Sequence, residues 1–456
     1  MSIAASPERF DTMVETLIVG AGACGLVAAL AAREAGQSVL VLERDAVPAG
    51  STALSAGLIP GAGTAQQAAC GVADSAALFA QDIQSKAGSE NDPAHVKTLA
   101  DASGPAIDWL TSAHGVPLTL VTDFDYPGHS RRRMHGVPSR AGRDLINVLR
   151  SRAEALDIDI ICDRHVPTLF ARNDRITGAQ ADRPDGGADL VGCARLILAS
   201  NGFGGNRDMV RAHMPEIAEA LWFGHGGNQG DAVSWGQALG ADVSHMGAFQ
   251  GHGNVAHPHG VLISWAVITQ GGVQINSDGK RFWDESQGYS EAARAVLEQP
   301  GGIAWTIFDT RIAAIARQFA DFQAAEACGA ILTADTLGGL AAKIGVPADP
   351  LAQNLSAHCP FGRDFSGCQP LAPPYCAVRV TGALFHTQGG LRVDGRARVV
   401  KSCGTALPNL YAGGGAAVGV SGAGDAGYLS GNGLLAAVVL GRIAGEDWPD
   451  PQKDLD

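Results

Sequence analysis

Leu17-Ile-Val-Gly-Ala-Gly-Ala-Cys-Gly-Leu26 leads through an alanine-rich run to Val39-Leu-Val-Leu-Glu43. An apolar strand enters a turn carrying Gly20, Gly22 and Gly25, a helical segment follows, and a second apolar strand ends on an acid. Each glycine has its own task. Gly20 permits the tight turn, Gly22 lets backbone approach a pyrophosphate, and Gly25 lets helix and strand pack closely. The helix N-terminus offers free N–H groups and partial positive charge to phosphates. Glu43, roughly 20 residues on, is placed to accept the ribose hydroxyls of an unphosphorylated adenosine. A bare glycine pattern occurs in ordinary turns, but the whole strand–turn–helix–strand–acid unit specifies dinucleotide binding by an α/β domain with a parallel sheet.

Composition bounds the rest. A chain of 456 residues exceeds one small core, so two or more domains are expected. With 46% hydrophobic and 17% charged residues, the chain is globular rather than disordered. Its net charge of −13 argues against nucleic acid or an anionic membrane as partner. Local cations such as Arg131-Arg132-Arg133 still offer a positive pocket. The nine cysteines (Cys24, Cys70, Cys162, Cys193, Cys328, Cys359, Cys368, Cys376 and Cys403) form no CxxC pair. Their odd number and spacing speak against a disulfide framework or a zinc site and suit a reducing cytoplasm. No metal site is expected: His257-Pro-His259 has no acidic or thiol partner beside it and reads as a loop. The N-terminus lacks a signal peptide pattern, and no apolar run approaches the ~20 residues of a membrane span. A soluble, cytoplasmic protein is expected.

The first βαβ unit occupies about residues 14–44, and the glycine- and serine-rich loop Gly50-Ser-Thr-Ala-Leu-Ser-Ala-Gly57 follows. Helical periodicity lies within 74–114 and over 142–156; Pro167–Ala171 and Arg175–Ala179 read as a hairpin. A buried strand at Arg195–Ser200 ends in another glycine turn. After about residue 240 the character changes, with helical runs at 290–299, 310–327 and 334–344, and the first style returns at Asn409-Leu-Tyr-Ala-Gly-Gly-Gly415. The expected domains are 1–240 and 373–456, two parts of one cofactor domain, with 241–372 inserted as an α+β cap. Such a cap would act as a water-excluding lid.

An ordered series of motifs resembles the flavoprotein family of fumarate reductases, succinate dehydrogenases and 3-ketosteroid dehydrogenases. It comprises the opening unit, the 50–57 loop, Ala199-Ser-Asn-Gly-Phe203, Asn228-Gln-Gly-Asp231, the lid-like Asn276-Ser-Asp-Gly-Lys-Arg-Phe-Trp-Asp-Glu285, His386-Thr-Gln-Gly-Gly390 and Asn409-Leu-Tyr-Ala-Gly413. The resemblance implies a Rossmann-like FAD-binding domain with a mobile cap. It also implies FAD contacts from Gly20, Gly22, Ala23, Cys24 and Gly25, and from Glu43 and Arg44. Ser51, Thr52, Ser55, Ala56 and Gly57 of the loop join them, with Val166, Asn201, Gly202, Asp231 and Gly414. Gly431, Asn432, Gly433 and Leu434 open the last helix, whose dipole would face the flavin; a plain glycine-rich helix start is the alternative. The 50–57 loop lacks a histidine for covalent attachment, so FAD is expected non-covalently bound. Gly415 stands where relatives carry Glu, which puts one ribose contact in doubt.

The family divides by the groups opposite the flavin. Counting from Arg281, Tyr289 takes the place of the fumarate reductases' arginine acid, and Gly427-Tyr-Leu-Ser-Gly-Asn-Gly433 lacks their second arginine. Arginine clamps dicarboxylates through paired hydrogen bonds, so fumarate and succinate fit poorly. Dehydrogenation beside a ketone needs a base for the α proton, donors for the enolate oxygen and a hydride acceptor. The resemblance to 3-ketosteroid Δ4-(5α)-dehydrogenases implies Tyr428 and Ser430 as carbonyl donors and Tyr289 as proton acceptor. Tyr289 has a packing alternative, because an ordinary tyrosine titrates near 10. Tyr126 resembles a tyrosine at the mouth of ketosteroid Δ1-dehydrogenase sites, or else marks a surface turn; Tyr375 and Tyr411 read as packing. His386 matches a carboxylate-binding histidine of fumarate reductases, with a structural histidine as alternative, and His252 lies near a second one among neighbours that fit poorly. The expected partners are a small-molecule ketone or carboxylate and an external electron acceptor. A tricarballylate-like carboxylate dehydrogenase, an ene reductase and a flavin electron carrier without turnover are the competing readings.

Overall fold

A computed structural model describes residues 1–123, 125–356 and 369–448. Cys359 and Cys368 lie outside them, and the other seven cysteines are free thiols. Packing separates two units: 1–213, 224–249 and the described residues from 386 onward form the first, and 214–223 with the described residues of 250–385 form the second.

The first unit is built on the opening motif. Thr12–Val19, the helix Ala23–Glu34 and Val39–Leu42 form the expected βαβ unit, with Leu17↔Leu40 and Val19↔Leu42 in parallel register. Asp159–Ile161 extends the sheet beyond Val39–Leu42, and Ala188–Leu198 pairs in parallel on the other side of Thr12–Val19. The latter strand is long enough to serve two partners. Its N-terminal half pairs with the hairpin His165–Arg172/Arg175–Asp182, and its C-terminal end pairs in parallel with Ala406–Ala412. Leu17–Val19 and Val39–Leu42 are buried apolar runs in the core with the helix Ala23–Glu34. The helix Ala23–Glu34 packs on the last helix, Asn432–Glu446, at a distance only glycine allows: a Cβ on Gly441 would lie 2.5 Å from the Cys24 carbonyl oxygen, and one on Gly445 2.4 Å from that of Ala28. Arg195, fully buried, closes the far end of the last helix by donating to the carbonyls of Ala444 and Gly445 and to Gln37 and Thr16.

The second unit carries a mostly antiparallel sheet with Tyr375–Thr387 at its centre, flanked by Phe249–Ala256 and Ile303–Asp309. Its helices include Tyr289–Leu297 and Leu337–Ile344. The run read as one helix over 310–327 is two, Thr310–Ala316 and Ala320–Ala327, because Phe319 is extended between them and packs on the core of Phe308, Ile312 and Phe322. The run read from 334 begins only at Leu337, where Thr336 caps the Gly339 N–H. No helix among the described residues is long and apolar enough to cross a membrane.

Candidate active site

The glycine turn forms a cradle at the C-terminal edge of the parallel sheet. Gly20 holds φ +105°, and a Cβ there would lie 2.5 Å from the Ala199 carbonyl oxygen. A Cβ on Gly25 would lie 1.8 Å from the Gly20 oxygen, so turn and helix touch backbone to backbone. At Gly22 the nearest atom to an added Cβ is Thr52 Oγ1 at 3.8 Å, which leaves the room a pyrophosphate needs. The N-cap residue of the helix that starts here, Gly22, supplies no side-chain cap, so the first turn keeps N–H groups for an anion. Glu43 accepts from the Ala21 N–H at 2.7 Å and the Asp45 N–H at 3.0 Å, and its burial raises its pKa. Each carboxylate oxygen keeps a further lone pair for a ribose hydroxyl. These features fit a dinucleotide.

The other residues expected to contact the cofactor lie in the first unit. Thr52 Oγ1 accepts from the Ala23 N–H at 3.2 Å, Ser51 Oγ accepts from Asn228 at 2.9 Å, and Ser55 braces the loop through the Thr52 carbonyl and the Gly57 N–H. Ala56 is exposed, whereas Gly57 (φ +64°) packs against Gly142. Arg44 donates to the Gly227 carbonyl at 2.6 Å and lies 4.0 Å from Asp231. Val166 sits in the register shift of its strand between His165 and Thr168. Cys24 is buried against Gly413 and Gly414, and burial pushes its thiol up to about 12, so it packs as a small apolar group.

Asn201 and Gly415 are explained together. Asn201 takes the left-handed conformation (φ +67°), and its Oδ1 accepts from the Gly202 N–H at 2.8 Å. A Cβ on Gly415 would lie 2.2 Å from that oxygen. The Asn201 carboxamide occupies the space a side chain at 415 would need.

A second cluster gathers at the start of the last helix. Gly431 (φ +88°) begins it, with Pro60 and Met134 so close that any side chain would strike them. The Tyr428 hydroxyl accepts from the Gly433 N–H at 3.5 Å, and burial raises its pKa, so the phenol is neutral. His386 meets the Tyr428 ring edge-on at 5.4 Å, and a Cβ on Gly433 would lie 2.8 Å from its Cε1 and Nε2. Burial pushes His386 down to about 4, with no contribution from a charged neighbour. Ser430 accepts at its carbonyl from His129 Nε2–H at 2.9 Å. The turn from Tyr126 to His129 thus lies against the 428–431 segment: a Cβ on Gly128 would lie 2.7 Å from a Leu429 methyl. Tyr126 itself is half-buried on Leu58, Val121 and Met134.

Of the three cations at Arg131–Arg133, two carry acidic partners. Arg133 is buried and paired with Asp74 and Asp82, Arg132 pairs with Asp125 at 2.8 Å, and Arg131 donates to the Ala73 carbonyl. Arg133 also braces His129, with Nη1 at 3.5 Å from its Nδ1.

In the second unit Tyr289 opens the helix Tyr289–Leu297 after Gly288 (φ +131°). Its ring stacks on His252 at 5.0 Å; Phe385 also stacks on His252 at 5.2 Å, and Trp265 stands edge-on to it at 5.7 Å. Burial among these rings pushes His252 down to about 3. The lid-like motif upstream is a brace: Arg281 pairs with buried Glu285, which also accepts from the Gln274 N–H at 3.0 Å. His252 joins Tyr289 although its sequence neighbours gave it little weight; only the fold stacks residues so far apart.

Sequence reading also passed over Gln388, Ser421 and His129, polar residues whose partners lie far along the chain. Gln388 stands inside the His386-Thr-Gln-Gly-Gly390 motif, the one local signal for it.

Comparison with known proteins agrees with this geometry. Residues 15–434 match the family described as the FAD binding domain. A probable fumarate reductase of Shewanella frigidimarina is 31% identical over 460 residues, which is 98% of this chain and 76% of that protein. The open conformation of a flavocytochrome c3 fumarate reductase has a TM-score of 0.81 at 29% identity, over 96% of this chain and 78% of that one. The 3-ketosteroid-Δ4-(5α)-dehydrogenase from Rhodococcus jostii, solved with 4-androstene-3,17-dione, shares the fold with a TM-score of 0.75 at 24% identity, over 97% and 98% of the two chains. The chain belongs to this FAD-binding flavoprotein family and is an FAD-dependent oxidoreductase acting on CH–CH groups.

Proposed function

We propose that this enzyme dehydrogenates a C–C bond next to a ketone, on a ketosteroid or a smaller cyclic ketone or keto acid. One observation carries the reading: Tyr428 and His386, uncharged and side by side at the start of the last helix, form a polar pair that suits a neutral carbonyl. A dicarboxylate would call for a cation at that place. Bound FAD supplies the two-electron acceptor that desaturation requires. Tyr428, Ser430 and His386 are proposed to hold the carbonyl oxygen and the negative charge that develops on it. Tyr289 is proposed as the proton-transfer residue at Cα, and Tyr126 as a wall of the substrate entrance. The 50–57 loop, without a histidine, supports non-covalent FAD.

A second reading, reduction of an unsaturated acid or ketone, draws on Tyr289. An ordinary phenol, which titrates near 10, gives up a proton to a carbanion more readily than it takes one as phenolate. The two directions use the same residues.

One experiment tests both. The oxidised enzyme is mixed anaerobically with cyclic ketones, keto acids and polycarboxylates, and the dithionite-reduced enzyme with their unsaturated counterparts. Bleaching of the flavin by saturated ketones is expected; bleaching by a tricarboxylate alone would refute the ketone assignment. Acid precipitation of the same preparation is expected to leave the flavin in the supernatant, and colour in the pellet would refute non-covalent binding.

A further inference from the structure

His386 Nδ1 ends a chain of buried side chains that runs through the first unit. Asn432 Nδ2 lies 3.0 Å from Ser421 Oγ, Ser421 Oγ lies 2.6 Å from Gln388 Oε1, and Gln388 Nε2 lies 3.1 Å from His386 Nδ1. Asn432, Ser421 and Gln388 are each at most 4% exposed. Such a chain has two polarities, one the mirror of the other, and they put the histidine proton on opposite nitrogens.

The distances select one. At 2.6 Å the Ser421–Gln388 contact is a good O–H···O bond and too short for N–H···O, whose range begins near ~2.7 Å. Ser421 therefore donates to the Gln388 carbonyl oxygen. The 3.0 Å contact with Asn432 then has the amide donating to the hydroxyl oxygen, an ordinary N–H···O length. Gln388 is left with its NH2 toward His386, so Nδ1 accepts. The competing contact, Nδ1 to the Thr387 carbonyl at 3.2 Å, favours the opposite tautomer. It is the longest of the four. The polarity also leaves Asn432 Oδ1 as the buried atom without a partner, an acceptor rather than an NH2 with two donors stranded.

We propose that Asn432, Ser421 and Gln388 form a positioning relay that holds His386 as the tautomer protonated at Nε2, so that it meets a substrate oxygen as a neutral donor. The Nε2 edge is the one that lies over Gly433, beside the Tyr428 ring. The relay gives the site a donor on each of two rings without a cation. The role for Nε2–H rests on the reading of His386 and Tyr428 as the oxygen-holding pair, but the tautomer itself is measurable with no substrate.

The test is long-range proton–nitrogen NMR of FAD-loaded protein labelled with 15N-histidine, with His386 assigned from the resonance lost in His386→Asn. At pH 7, wild type is expected to show Nδ1 unprotonated and Nε2 protonated. Gln388→Glu keeps the shape, and its ionised carboxylate can only accept at its second oxygen, so it is expected to move the proton onto Nδ1. Ser421→Ala releases the Gln388 amide and is expected to populate both tautomers; flavin content in each variant reports that the fold persists. A wild-type Nδ1–H or imidazolium, or nitrogen shifts unmoved by Gln388→Glu, overturns the relay. If the shifts are as expected and no ketone or acid exchanges electrons with the flavin, the relay stands and the proposed reaction falls.

Discussion

At the scale of single residues, the proposed chemistry rests on two uncharged rings. His386 and Tyr428 are both held neutral by burial, and each is in contact with Gly433 at the helix start. Tyr428→Phe preserves the ring and its edge contact and deletes one donor. Removing one donor to a developing oxyanion costs about 10²–10³-fold in turnover. Stopped-flow reduction of the flavin by a ketone is expected to slow by that order, with FAD content unchanged; a rate within a few-fold of wild type would remove Tyr428 from the reaction. The residue scale also shows where sequence reading was exposed to error. Gly415 taken alone signals a lost contact, whereas its geometry with Asn201 shows a carboxamide standing in the same space. That pairing joins positions more than two hundred apart, and no local pattern announces it.

Glycine placement governs the elements. The first and last helices approach through Gly441 and Gly445, against the carbonyls of Cys24 and Ala28. Alanine is the better helix former by about 1 kcal/mol, so propensity favours Gly441→Ala. The added methyl, however, would sit 2.5 Å from a backbone oxygen that cannot rotate away. Overpacking of that kind costs about 1–3 kcal/mol, and the clash wins. Gly441→Ala is expected to lower the denaturation midpoint and to reduce flavin content, because Cys24 belongs to the dinucleotide turn. Gly338 is the counter-case: exposed in the helix Leu337–Ile344 with nothing within 4 Å of an added Cβ. Gly338→Ala is expected to stabilise by roughly 0.4–1 kcal/mol. Equal effects of the two substitutions in urea melts would contradict the packing described. Element types were largely legible, since periodicity marks a buried face. Their ends were less so: Phe319 breaks an apolar helical run because the core around Phe308 and Phe322 captures its side chain, a tertiary demand.

For the whole molecule, buried histidines set the response to acid. His135, fully buried between Thr64 Oγ1 and the Arg133 carbonyl, is pushed down to about 4, and His252 to about 3, both mainly by burial. An unfolded histidine titrates near 6.5. Between these limits the unfolded chain takes up protons that the folded protein refuses. Stability is therefore complete above about pH 6.5 and declines as pH falls, until each folded pKa is passed. The slope approaches about 1.4 kcal/mol per pH unit for each histidine. The lowered pKa of Asp82, hydrogen-bonded to Ser130 and Arg133, acts in a separate window below the ordinary carboxylate range of about 4. Urea midpoints at pH 7 and pH 5 are expected to differ clearly, and equal midpoints would refute the burial of these rings as neutral groups.

The sequence by itself determined the parallel α/β scaffold, the dinucleotide turn and the family, because these rest on short-range requirements: a period of apolar residues, a glycine where φ is positive, an acid one strand away. It also named Tyr289, Tyr428 and His386, whose motifs are contiguous. Only the tertiary structure decided the state of those groups. The neutrality of His386 and Tyr428 comes from burial, the His386 tautomer from Gln388, Ser421 and Asn432, the support of Ser430 from His129, and the compensation of Arg133 from Asp74 and Asp82. Solvation and hydrogen-bond partnership are properties of the neighbourhood in space, and folding assembles that neighbourhood from residues that the chain keeps far apart.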